Sequence, residues 1–195
     1  MTEIVGETRK IGVAVGIPEP FGAELQDWRE RLGDPNALRI VPHVTLLPPT
    51  TVGSGALPEI EEHLRRVAAR FRPFDIRLRG SATFLPISSV VFVPLIQGIA
   101  ECEQIEAQVR SGPLTRALDY SYHPHVTVAH DLPDDALYRA LHELSSYDAQ
   151  FQVWGFSLFE QGVDLHWRPQ RDFAFSSGGL PGPPEERYAR TDEGW

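Results

Sequence analysis

The chain of 195 residues holds a single cysteine. Cys102 alone forms no intramolecular disulfide and no cysteine-rich zinc site. No apolar run approaches the roughly 18 residues that span a bilayer as a helix. Met1 to Lys10 lacks the basic-then-apolar order of a secretory signal, so the expected location is cytoplasmic. No glycine-rich loop runs into Lys-Ser or Lys-Thr, which argues against an ATP-driven ligase. Basic residues are also short: 18 Lys plus Arg stand against 27 Asp plus Glu, a formal charge of -9. Such a balance argues against a broad basic surface for nucleic acid but allows a small cleft for one phosphate. The last 18 residues carry four acids and two arginines, so most of the deficit belongs to the rest of the chain.

What is present is a globular composition, 42% hydrophobic, with strand and helix periods alternating. Ile11 to Ile17 alternates large and small apolar residues, a strand whose small face admits a close neighbour. Phe21, Leu25, Trp28 and Leu32 follow at helical spacing, stopped by Gly33 and the Asp34-Pro35-Asn36 turn. Val41 to Pro49 reads as a short strand closed by prolines. Leu57, Ile60, Leu64, Val67 and Phe71 mark a second helix, and Phe74, Ile76 and Leu78 a half-buried strand. The order then recurs. Val90 to Leu95 is a strand, Cys102, Ile105 and Val109 lie on a helix, His125 to Val128 is a strand, and Leu137 to Leu144 a helix. Phe151 to Phe159 and Val163 to Trp167 suggest a hairpin.

The first strands of the two series begin 79 residues apart, and their His-Val-Thr strands 82 apart. This predicts an α+β fold of two pseudo-symmetric lobes, each with a small, mainly antiparallel sheet, and a cleft between them. The bilobal domain is expected over 1–177, with 178–195 a Pro/Gly-rich, charged, flexible tail.

Alternate residues of a strand share a face. His43 and Thr45 therefore point one way while Val44 and Leu46 anchor the strand. His125 and Thr127 do the same, with Val126 and Val128 behind them. A single His-Val-Thr is weak evidence. Two copies at the same place of an internal repeat point to a shared site. One neutral imidazole can take a proton from water while the other, protonated, donates to a departing oxygen. The threonine hydroxyls can donate to phosphate oxygens. This constellation calls for no metal and no cofactor.

Pro42-His43-Val44-Thr45-Leu46 and Pro124-His125-Val126-Thr127-Val128 resemble the paired motifs of the two-histidine phosphoesterase superfamily, which includes bacterial 2′-5′ RNA ligase-like proteins and cyclic phosphodiesterases. The resemblance spans about Ile11 to Phe175. It implies a bilobal fold, His43 and His125 as an acid–base pair, and Thr45 and Thr127 as phosphate contacts. It also implies a substrate among nucleotides or RNA ends with a 2′,3′-cyclic phosphate or related phosphodiester. The chain departs from many members by having His130 where they carry an arginine, and Leu47-Pro48-Pro49 where they carry an aromatic-glycine ending. It therefore looks like a divergent bacterial branch. Two other readings stay open: 2′-5′ ligation, and a noncatalytic nucleotide- or RNA-binding module. No obligatory protein partner and no membrane are indicated.

Accessory candidates flank the motifs. Arg39, four residues before His43, shares its side if the strand is regular. Tyr122 either stacks a base at the rim or packs in the core or between lobes. His123 and His130 would position phosphate or tune the imidazoles. His166 and Arg168 would line another wall if Val163 to Trp167 is a strand, and otherwise face solvent. His63 and His142 are expected on helix surfaces, and Cys102 in the core.

Overall fold

A computed structural model describes residues 7–176. The expected tail at 178–195 lies outside the described residues. Among the described residues, nine strands, four α-helices and two short 3₁₀ turns follow one another. They are β1 (Thr8–Gly16), α1 (Phe21–Leu32), β2 (His43–Gly53), α2 (Leu57–Ala68), β3 (Phe74–Arg79), β4 (Ala82–Thr83), β5 (Val90–Gln97), α3 (Ile99–Val109), β6 (His125–His130), α4 (Asp134–Glu143), β7 (Asp148–Val153), β8 (Gly155–Gln161) and β9 (Trp167–Ala174). Among the described residues no helix is long and apolar enough to cross a membrane.

Every strand pair is antiparallel, in the order β7-β3-β5-β6-β2-β1-β8-β9, with β4 beside β5. The two motif strands, β2 and β6, sit at the centre and meet in one rung, Val44 opposite Val126. This is the seam between two lobes, β2-β1-β8-β9 on one side and β6-β5-β3-β7 with β4 on the other. Pro42 and Pro124, which have no N–H to give, precede the two strands and so stand at opposite ends of this short antiparallel ladder. Each half contributes its first two strands to its own lobe. The later strands are exchanged: β3 joins the second lobe, between β5 and β7, and β8 and β9 return to the first beside β1. The lobes therefore interleave, and α1 packs toward β6 while α3 packs toward β2. Val44, Leu46, Val126 and Val128 are all at 1% exposure or less, at the heart of one continuous core.

Four expectations need correcting. The first motif strand is not closed by Pro48 and Pro49; it continues to Gly53, paired with β1 out to Thr8. Phe151 to Phe159 is two strands in different lobes, since β7 pairs with β3 and β8 with β1 and β9. The hairpin exists, but residues 162–166 are its turn, with Leu165 at φ 66°. His63 is no surface residue: it is 8% exposed, and its Nε2 lies 3.1 Å from both the Gln108 and Val109 carbonyls. A carbonyl only accepts, so Nε2 is the protonated nitrogen and closes the free end of α3. His142 is exposed and Cys102 fully buried, with burial pushing its thiol up to about 12.

Candidate active site

The single rung between the motif strands sets the geometry. Antiparallel pairing about Val44 and Val126 places His43 across from Thr127, and Thr45 across from His125. The four side chains make a square on the face opposite the buried valines. Diagonal neighbours on such a pair lie about 7–8 Å apart, so the two imidazoles flank a space the size of a phosphate.

The two histidines are oriented by the same device. His43 Nδ1 lies 2.8 Å from the Val41 carbonyl, and His125 Nδ1 2.6 Å from the His123 carbonyl. In each case a proline stands between ring and carbonyl. Since the carbonyl can only accept, Nδ1 carries the proton and Nε2 keeps the lone pair in the neutral ring. Nε2 has no hydrogen-bond partner in either ring among the described residues. It is the nitrogen left to exchange a proton with a ligand.

Their surroundings differ. His43, Thr45 and Thr127 line a pocket of about 420 Å³ over the first lobe; Arg29, Arg39 and His130 line it too. His125 does not. Its ring centroid stands 5.0 Å from those of Phe84 and Phe92, and 6.2 Å from that of His123. Burial pulls the His43 pKa down to about 4, partly offset by the Val41 carbonyl and reinforced by the positive charge of Arg29 and by His125. Burial also lowers that of His125, reinforced by His123 and partly offset by the His123 carbonyl.

Arg29 was not a sequence candidate, because it sits among apolar helix positions. It is 4% exposed, in the last turn of α1. Its Nε donates to Asp34 Oδ2 at 2.9 Å, and its Nη1 donates to the Ile40 carbonyl. Asp34 Oδ1 accepts the Asn36 backbone N–H at 2.9 Å. One buried ion pair thereby holds the segment 34–40 that forms the pocket's wall and leads to the Val41 carbonyl. The signal was the Gly33-Asp34 cap itself: Gly33 takes φ 79°, and the Asp34 N–H returns to the Arg29 carbonyl.

The accessory candidates separate clearly. Arg39 and His130 line the pocket, with His130 Nε2 3.4 Å from Asp131. Tyr122 takes the interface role: its hydroxyl donates to the Thr45 carbonyl at 2.9 Å, tying the second lobe to the first motif strand. His123 backs His125 and does not line the pocket. His166 and Arg168 do not form a wall. Both turn to Asp164 within the hairpin turn, at 3.4 and 2.5 Å. The wall is made instead by Leu165 and Trp167, because 162–166 is a turn and strand alternation does not apply there.

The model of the 2′-5′ RNA ligase superfamily matches residues 17–165. The chain belongs to that superfamily. A Bacillus licheniformis protein, a phosphoesterase by name, is 31% identical over 133 residues, 66% of this chain and 78% of its own. One from Halalkalibacterium halodurans, similarly named, is 32% identical over 126 residues, 65% of this chain and 72% of its own. The fold is that of Escherichia coli LigT. The structure complexed with 3′-AMP covers 88% of this chain and all of its own at 22% identity, with a TM-score of 0.59. The structure complexed with NADP+ gives 0.60 at 22% identity, covering 87% of this chain and 99% of its own.

Proposed function

We propose that this superfamily member is a phosphodiesterase that hydrolyses a 2′,3′-cyclic phosphate or a related nucleotide or RNA-end phosphodiester. The observation that carries the reading is the matched square: two imidazoles with Nδ1 pinned to a backbone carbonyl and Nε2 free, each opposite a threonine. In the reaction one Nε2 takes a proton from water as its oxygen bonds to phosphorus. The other, protonated, gives its proton to the ribose oxygen as that P–O bond breaks. Thr45 and Thr127 donate to the non-bridging oxygens, which gain charge on the way. The imidazoles then exchange protons with solvent. Both start neutral at pH 7, and the anionic phosphate raises their pKa values on binding, which favours the imidazolium the reaction needs. The nucleotides complexed with LigT agree with this substrate class.

Incubation with nucleoside 2′,3′-cyclic phosphates, cyclic-phosphate RNA ends and 2′-5′-linked dinucleotides tests the reading, with products identified by mass and phosphate position. A single phosphomonoester product, lost in both His43→Ala and His125→Ala, is expected. Equal turnover by wild type and either variant would sink it.

A further inference from the structure

We infer that Trp167 is the stacking platform of a single nucleobase subsite on the His43 side of the site. The inference rests on the phosphodiesterase reading and says where the rest of the substrate lies. A phosphate alone needs only the square; the pocket of about 420 Å³ beside it is large enough for a nucleoside. Of the two histidines only His43 lines that space; the second motif reaches it through Thr127, and His125 does not line it.

The pocket that His43 lines also has an aromatic wall, and it is seated. Trp167 is half-buried, and its benzo ring lies over Gly12 of β1: a Cβ there would stand 3.4 Å from Cζ3 and 3.8 Å from Cη2. The glycine lets the indole lie close against the sheet. The Trp167 backbone N–H donates to the Arg39 carbonyl at 2.8 Å, so the start of β9 is fixed to the Arg29-held segment. Asn36 and Gln161 line the same pocket and bring side-chain amides, with donors and acceptors suited to a base edge, although Gln161 Nε2 also donates to the Leu165 carbonyl at 3.3 Å. Arg39 adds a guanidinium, which forms no ion pair among the described residues. A flat indole, two amides and a cation next to a phosphate square fit a purine or pyrimidine nucleotide better than a base-free sugar phosphate.

Calorimetry with 3′-AMP and with ribose 5-phosphate tests this without depending on turnover. Wild type should bind 3′-AMP at least tenfold more tightly. Trp167→Leu should weaken 3′-AMP 10- to 100-fold and leave ribose 5-phosphate within twofold, while Trp167→Phe restores most of the affinity. Equal binding of the two ligands by wild type, no measurable 3′-AMP binding, or a Trp167→Leu effect that is absent or equal on both would overturn the subsite. Turnover of nucleoside 2′,3′-cyclic phosphates separates the two ideas. Trp167-dependent binding without turnover leaves the subsite standing and removes the hydrolase. Turnover with a KM indifferent to Trp167→Leu does the reverse.

Discussion

The two motif strands are alike in backbone and unlike in backing. Each places a proline, then a histidine whose Nδ1 bonds two residues back, then a valine in the core and a threonine beside the site. Behind His43 stands a buried ion pair and an open pocket; around His125 stand Phe84, Phe92 and His123. The shared part is what the proposed proton transfers require, and it is local to five residues. The differing part comes from segments distant in sequence, and it can give each lobe its own task in holding the substrate.

The comparison breaks most sharply at the shared part. His43→Ala and His125→Ala should each lower kcat by roughly 10²- to 10⁴-fold, the range of a lost general acid or base. Melting temperatures should stay near wild type, because both rings are only half-buried. If one variant loses activity and the other keeps it, the two motifs are not a pair.

The next largest effect lies in the backing of His43. Arg29→Met leaves the Asp34 carboxylate, 5% exposed, without its partner. Breaking a buried pair this way costs about 3–5 kcal/mol, read by urea unfolding. The double variant Arg29→Met/Asp34→Leu should recover much of that loss, since no charge is then stranded. It should also lift the pKa of His43, from which a neighbouring cation has been removed. A double variant no more stable than the single one would mean the pair matters through its hydrogen bonds to the 34–40 segment, and not through burial of charge.

That lift is measurable as a pH profile. The rate constant kcat/KM reports the free protein, which must hold one neutral and one protonated imidazole. Both rings titrate below the ordinary histidine value, His43 near 4. The profile should be a bell with its maximum below pH 6.5 and an acidic limb near 4. The double variant moves the acidic limb upward. Stability follows the same groups. With folded pKa values below the unfolded one, the unfolded chain binds more protons between pH 6.5 and 4, so stability falls as pH drops through that window. For His43 the loss reaches at most about 3 kcal/mol, and His43→Gln should remove its share from the slope. A maximum of kcat/KM above pH 7.5 would contradict both.

The sequence showed the half of the comparison that is local. His-Val-Thr alternation, the proline before it and the doubled order of elements are short-range patterns, and the square follows from them once the strands pair. The backing was hidden for three physical reasons. Arg29 stands four residues after Leu25, where a buried cation looks like an exposed one until its Asp34 partner is folded onto it. The strands that follow each motif carry no mark of which sheet edge they join, so the exchange of β3, β8 and β9 between lobes depends on packing alone. Trp167 follows five residues that mimic strand alternation but form a turn with Leu165 at positive φ, which reverses which side chains reach the pocket.

The smallest effect tests the seam itself. The two motif strands share one rung, and the Tyr122 hydroxyl adds a bond from the second lobe to the Thr45 carbonyl at 2.9 Å. Tyr122→Phe keeps the ring, which packs against the core, and deletes only that bond. The loss should be about 1 kcal/mol, or roughly 2–4 °C in Tm for a domain of this size. If the square is held rigid by the core valines beneath it, kcat/KM should fall less than threefold. A fall of tenfold or more with so small a change in Tm would show otherwise: the register between His43 and His125 would then depend on the tyrosine bridge, and the lobes would be free to slide about their single rung.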